Sequence, residues 1–128
     1  MTTPPWVEEF LAAIRRGVAE SAMDAFEGRF AEDAEYFTSP QLAPLRGRDA
    51  ILAHLAKQIA GQRDMQGGTE VLGFTGMTAL VRWRARYVLR ADGSVQHYDA
   101  LILYDFAAPG VCARRRSWAV QWAEAPLP

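Results

Sequence analysis

Asp99 and His97 are the residues of this chain best suited by type and spacing to move protons. They lie in Val95 to Phe106, a stretch whose composition suits a strand. Alternate strand side chains point to opposite faces. Val95, His97, Asp99, Leu101 and Leu103 therefore share one face, and Gln96, Tyr98, Ala100, Ile102 and Tyr104 share the other. His97 and Asp99 then stand about 6–7 Å apart along the strand. Leu101 and Leu103 beside Asp99 point it toward an apolar interior. A carboxyl is costly to ionise there, and its pKa should rise. Such a group can act as acid, base or neutral hydrogen-bond donor, with His97 as its partner. The competing reading is a buried carboxyl satisfied by Tyr or Trp donors, with His97 on a rim.

Other chemistries find less support. The single cysteine, Cys112, excludes an intrachain disulfide and every paired-cysteine zinc pattern. It reads as a small residue beside a turn, although Arg114 to Arg116 would favour a thiolate. His54, on the flank of a helix, and His97 lack a paired metal-ligand spacing with the carboxylates, so no metal is expected. Gly67-Gly68, Gly73 and Gly76 read as turns or bulges. A dinucleotide loop would need a strand before it and a helix after it, so no cofactor is expected.

Helices and strands must position these groups. Thr3 can cap a first helix, with Pro4 and Pro5 in its first turn. Trp6, Phe10, Ile14 and Val18 recur at helical spacing, with Val7 and Leu11 beside them. Ser21 and Asp24 resemble a capping box for a second helix carrying Met23, Phe26 and Phe30. Ala34 to Thr38 reads as a short strand, and Ser39 to Arg48 as a loop. Asp49 opens a third helix with Ile51, Leu52, Leu55 and Ile59, stopped by Gly61. From about Thr69 the period becomes two. Val81, Trp83, Ala85, Tyr87 and Leu89 alternate with Arg82, Arg84, Arg86 and Arg90. Ala91 to Ser94 is a hairpin turn, Ala107 to Gly110 another, and Arg114 to Trp122 a last strand. Helices followed by an antiparallel meander predict an α+β fold, with a sheet covered on one face.

Length and charge agree with that division. The chain has 128 residues, half of them apolar, with a net charge of −1. This suits one globular domain over 1–128. Residues 1–78 hold seven Lys and Arg against eleven Asp and Glu; residues 79–128 hold seven against four. The acids belong to the helical layer. The arginine ladder belongs to a sheet face turned away from the interior, as a solvated or dimer-facing surface. Its own face lacks interleaved aromatics, which argues against a nucleic-acid platform. No apolar run approaches the roughly 20 residues of a membrane helix. Met1 to Pro5 lacks the basic start of a secretory leader, so a cytoplasmic protein is expected.

Phe30-Ala-Glu-Asp-Ala-Glu-Tyr36, then Pro40, then Leu45-Arg-Gly-Arg-Asp-Ala-Ile51, resembles the SnoaL-like branch of the nuclear transport factor 2-like superfamily. The resemblance spans nearly the whole chain. It implies a cone-shaped curved sheet wrapped around three helices and an apolar pocket, often in a homodimer. It also implies ketosteroid isomerase, polyketide cyclase or limonene-type epoxide hydrolase relatives, alongside non-enzymes. Asp99 corresponds to the isomerases' oxyanion-holding acid, but Thr38 or Ser39 and Ile14 stand where their base and helix tyrosine would be. His97-Tyr98-Asp99 matches the epoxide hydrolases' basic-x-Asp pair, with His where they have Arg. Tyr36-Phe37-Thr38 matches their Tyr-x-Asn. Tyr36 and Thr38 would share a strand face and hold a water. That family's second aspartate falls where this chain has Trp118, Gln121 and Trp122. Cyclases of this fold need a pocket acid–base group, which Asp99 with His97 supplies.

Two readings follow. In the first, the chain is an enzyme doing cofactor-independent acid–base chemistry on a hydrophobic small molecule: isomerisation, cyclisation or epoxide opening. Asp99, His97 and Tyr36 are catalytic, and Thr38, Trp83, Tyr87, Trp118 and Trp122 line the pocket. In the second, it is a non-catalytic ligand-binding or dimerisation module of the same fold. Tyr98, Ile102 and Tyr104 are the expected interface in a homodimer.

Overall fold

A computed structural model describes residues 2–124. Met1 of the leader reading and the last residues of the 1–128 domain lie outside the described residues. Helix α1 spans Pro5–Ala19; Pro4, rather than Thr3, takes the cap position and makes no side-chain cap bond. Its buried stripe is Val7, Phe10, Leu11, Ile14 and Gly17. The expected second helix shrinks to one 3-10 turn, Met23–Phe26. Gly28, at φ 69°, breaks the chain there, and Phe30 goes into a strand instead.

Strand β1, Phe30–Tyr36, pairs with the two-residue β2, Leu45–Arg46. Helix α2, Arg48–Ala60, follows Gly47, whose φ of 91° suits glycine, and ends at Gly61 as its sequence predicts. Four long strands complete the chain: β3 Gln62–Thr75, β4 Thr78–Leu89, β5 Val95–Ala108 and β6 Val111–Ala123. They form one sheet in the order β2-β1-β6-β5-β4-β3. Every pairing is antiparallel except β1 with β6. This is the expected α+β architecture, with two helices and a turn where three helices were expected. Among the described residues no helix is long and apolar enough to cross a membrane.

The register decides which side chains enter the concave face. Val81, Trp83, Ala85 and Tyr87 are buried on β4, and Ala100, Ile102, Tyr104 and Phe106 on β5. Trp83 sits opposite Ala100 and Ala85 opposite Tyr98. The arginines between them face outward, with Arg84 opposite Asp99 and Arg86 opposite His97. Strand β6 adds an irregularity. Asp105 pairs with Arg114 and Phe106 with Cys112, so Ala113 has no partner on β5. This bulge changes the parity of the strand. Cys112 points in before it; Arg115 and Ser117 point in after it.

Candidate functional site

The inward residues of both layers enclose a cavity of about 70 Å³. A single water takes up about 10–15 Å³ of such space. The cavity therefore holds about five waters, or one ring with a few substituents. Ile14 and Val18 of α1 and Leu55 of α2 close it from the helical side. Trp83, Ala85 and Tyr87 of β4 and Ile102 of β5 form much of its sheet wall. Gln121, which is exposed, marks the rim.

The polar lining is one cation among neutral groups. Arg115 is the single charged side chain in the lining, which contains no Asp, Glu or His. It is 8% exposed. Its Nη1 donates to the Phe37 carbonyl at 3.0 Å and to Ser117 Oγ at 3.1 Å. Its Nη2 donates to the Tyr98 hydroxyl at 3.4 Å. The guanidinium carbon lies 4.3 Å from the centre of the Tyr36 ring, a cation–π contact. Among the described residues no carboxylate forms an ion pair with it. Burying a charge without a counter-ion costs free energy that neutral partners repay in part.

Burial raises the Tyr36 phenol above its ordinary pKa, against the lowering effect of Arg115. Burial raises Tyr104 in the same way. Both stay neutral hydrogen-bond donors near pH 7. His54 of α2 lies 5.7 Å from the Tyr36 ring, centre to centre, outside the lining. Its imidazole is held below its usual pKa by burial, then by Arg115 and Lys57. Arg115 thus dominates the local field, and the arrangement suits negative charge on a ligand oxygen. Gln62 adds an acceptor: its Oε1 is buried and has no hydrogen-bond partner among the described residues.

The residues singled out from the sequence divide between the two faces. Tyr36, Trp83 and Tyr87 line the cavity. Asp99 and His97 do not: they share a shallow open depression on the convex face with Arg84, Arg86 and Trp122. Asp99 accepts from Arg82 Nη2 at 2.8 Å and Nε at 3.1 Å. The Arg82 bond holds its carboxyl below the usual range, where an apolar interior would have raised it. His97 bonds Glu124 at 2.9 Å and stacks on Trp122 at 5.2 Å. Trp118 and Trp122 are exposed on the convex face and do not line the cavity, because the bulge at Ala113 reverses the alternation that would have brought them in. Thr38 is exposed in the loop after β1, which ends at Tyr36, so the two share no strand face. Tyr98, Ile102 and Tyr104 line the cavity instead of an outer interface. Burial pushes the Cys112 thiol up to about 12, which removes the thiolate its arginine neighbours suggested.

Sequence reasoning missed Arg115, Gln62, Gln58 and Gln121. One available signal for the facing was the composition of β5. The set Tyr98, Ala100, Ile102, Tyr104 and Phe106 carries no charge, whereas the set with Asp99 also carries Asp105.

Comparison with known proteins bears on the fold first. The epoxide hydrolase/cyclase-like enzyme SalBIII, with a role in pyran ring formation in the polyether salinomycin, superposes with a TM-score of 0.72 at 19% identity, over 88% of this chain and 89% of that one. A hexachlorocyclohexane dehydrochlorinase, LinA type 2, gives 0.73 at 11% identity, over 94% and 88%. A steroid delta-isomerase from Pseudomonas aeruginosa gives 0.68 at 12% identity, over 94% and 83%. At these identities the likeness is one of fold. No curated protein matches the chain by sequence. The sequence profile of the SnoaL-like domain does match, over residues 7–114, and the chain belongs to that family.

Proposed function

We propose that this chain binds a small hydrophobic molecule in the cavity between its sheet and helices, and directs one oxygen of that molecule to Arg115. The observation that carries the reading is a buried guanidinium, without a carboxylate partner among the described residues, in a cavity otherwise lined by apolar and neutral groups. Pockets for small molecules have this composition: a mostly apolar wall with a few placed polar groups. Tyr36, Trp83 and Tyr87 are the expected ligand contacts from the first group of candidates.

A second reading, catalysis, draws on one further observation. Arg115 and the Tyr98 hydroxyl stand together, a donor pair suited to an enolate or other developing oxyanion. The cyclase-like, dehydrochlorinase and isomerase names among the structural neighbours favour cofactor-independent chemistry of that type, with Tyr36 as an additional donor. Binding is the better supported of the two, because the lining offers no carboxylate or imidazole as a base.

The test fills the cavity from within. Ala85→Leu adds bulk to a side chain that lines it. Calorimetry with neutral single-ring compounds such as acetophenone and phenol should detect binding to the wild type. The Leu variant, folded by circular dichroism, should lose it. Equal binding by both proteins, or none across the panel with wild type, would sink the proposal.

A further inference from the structure

Arg115 has more hydrogen-bonding capacity than the protein uses. A guanidinium carries five N–H donors. Among the described residues both donors of Nη1 are engaged, by the Phe37 carbonyl and Ser117. One donor of Nη2 makes the long 3.4 Å contact to Tyr98. The second donor of Nη2 and the donor of Nε have no protein acceptor among the described residues. Nε and Nη2 share one edge of the guanidinium, and that edge matches both oxygens of a carboxylate.

The arginines of the convex face supply a comparison. Arg82 and Arg86 use Nε toward Asp99 and Glu124. Arg116 reaches Asp105, and Arg114 reaches Glu35. The chain thus supplies carboxylates to arginines on its convex surface, while the buried one in the cavity has none. Gln62 is a second polar group of the cavity lining, with a buried Oε1 that has no partner among the described residues. It sits on β3, three strands from β6 in the sheet order. Three steps of about 4.8 Å are about 14 Å laterally, and the register places Gln62 level with Leu89 of β4 but Arg115 level with Ala79, so Gln62 lies beyond the reach of a single ring held at Arg115.

Resting on the reading that the cavity binds small molecules, we infer that its ligand is a small organic carboxylate with an apolar, ring-sized body. Arg115 takes the carboxylate through Nε and Nη2. Tyr98 and Tyr36, neutral donors beside the cation, complete the anion end.

Matched probes test this on the wild-type protein by calorimetry at neutral pH: benzoate and its amide, benzamide. The acid should bind about tenfold more tightly than the amide, the size of a charge-assisted hydrogen bond. Arg115→Met should abolish that preference. The wild-type pair decides the matter even if the Arg115 variant fails to fold. An amide bound as tightly as the acid would overturn this inference and leave the cavity reading standing. Binding of neither would remove both.

Discussion

His54 shows how a single half-buried group ties the site to the stability of the whole fold. Burial, then Arg115 and Lys57, hold its imidazole below the ordinary pKa. The unfolded chain regains a value of about 6.5. Between that value and the lower folded one, the unfolded state binds more protons, so stability falls as pH falls through this window. His54→Gln should flatten the decline. Urea midpoints measured at several pH values from neutral to mildly acidic should converge less steeply for the variant, and identical slopes would remove His54 as the cause. At the same scale the sequence was read correctly in part. The alternation of β5 was legible, and so was the pairing of His97 with Asp99 on one face. The choice of face was not, because Leu101 and Leu103 next in line made that face look apolar. Leu101 is in fact exposed, and what Asp99 meets is Arg82 across the strand pair. That contact depends on strand register, which no single strand reveals.

Edge strand β3 carries two irregularities, between Arg63 and Gln66 and between Val71 and Gly73. Bulges of this kind twist an edge and hinder edge-to-edge association. Between them lies a glycine pair whose members have opposite surroundings. A Cβ on Gly67 would stand 2.5 Å from the Arg84 carbonyl oxygen and 3.2 Å from the Ala85 Cα. A Cβ on Gly68 would meet nothing within 4 Å. Gly67→Ala should therefore cost about 1–3 kcal/mol through a forced backbone shift, and Gly68→Ala should stay within about 0.5 kcal/mol. Urea denaturation of the two variants makes the comparison, and equal losses would refute the close-approach argument. Element type was largely readable from periodicity: α1, α2 and the β4–β5 hairpin lie where their patterns place them. The second helix was not, since its apolar spacing continues into Phe30, a strand residue. The start of β3 at Gln62 was also hidden, because a polar, glycine-containing edge strand has no clear period of two.

The acidic half of the chain does not map onto the helical layer as the charge count implied: Glu32, Asp33 and Glu35 lie on β1 and Asp64 and Glu70 on β3, strands of the same sheet that carries the arginines. The arginines of the sheet are largely neutralised on its convex side by Asp99, Asp105, Glu124 and Glu35. Among these ion pairs stand Leu101, Trp118, Val120 and Trp122, all exposed. Large exposed apolar side chains gathered on one face of a strand pair suit an interaction site. We propose that a second copy of the chain covers it. The mixture of apolar side chains with charges of both signs is suited to packing on itself across a two-fold axis. Sedimentation should give a dimer for the wild type and a monomer for Trp118→Glu, with cavity binding retained. A monomeric wild type at micromolar concentration would end the proposal.

The unpaired residue at Ala113 has a consequence for how such chains can change over time. Because the bulge absorbs one extra residue beside the β5–β6 turn, length can vary there while the cavity keeps its cation. Further along β6 no such slack exists. Loss of one codon after Arg115 would turn Trp118, Val120 and Trp122 toward the inward face and Gln121 toward the outward one. Two chains differing by that one codon would exchange the chemistry of the sheet's two faces along β6. Their sites would be comparable by facing, and misleading when compared by position along the sequence.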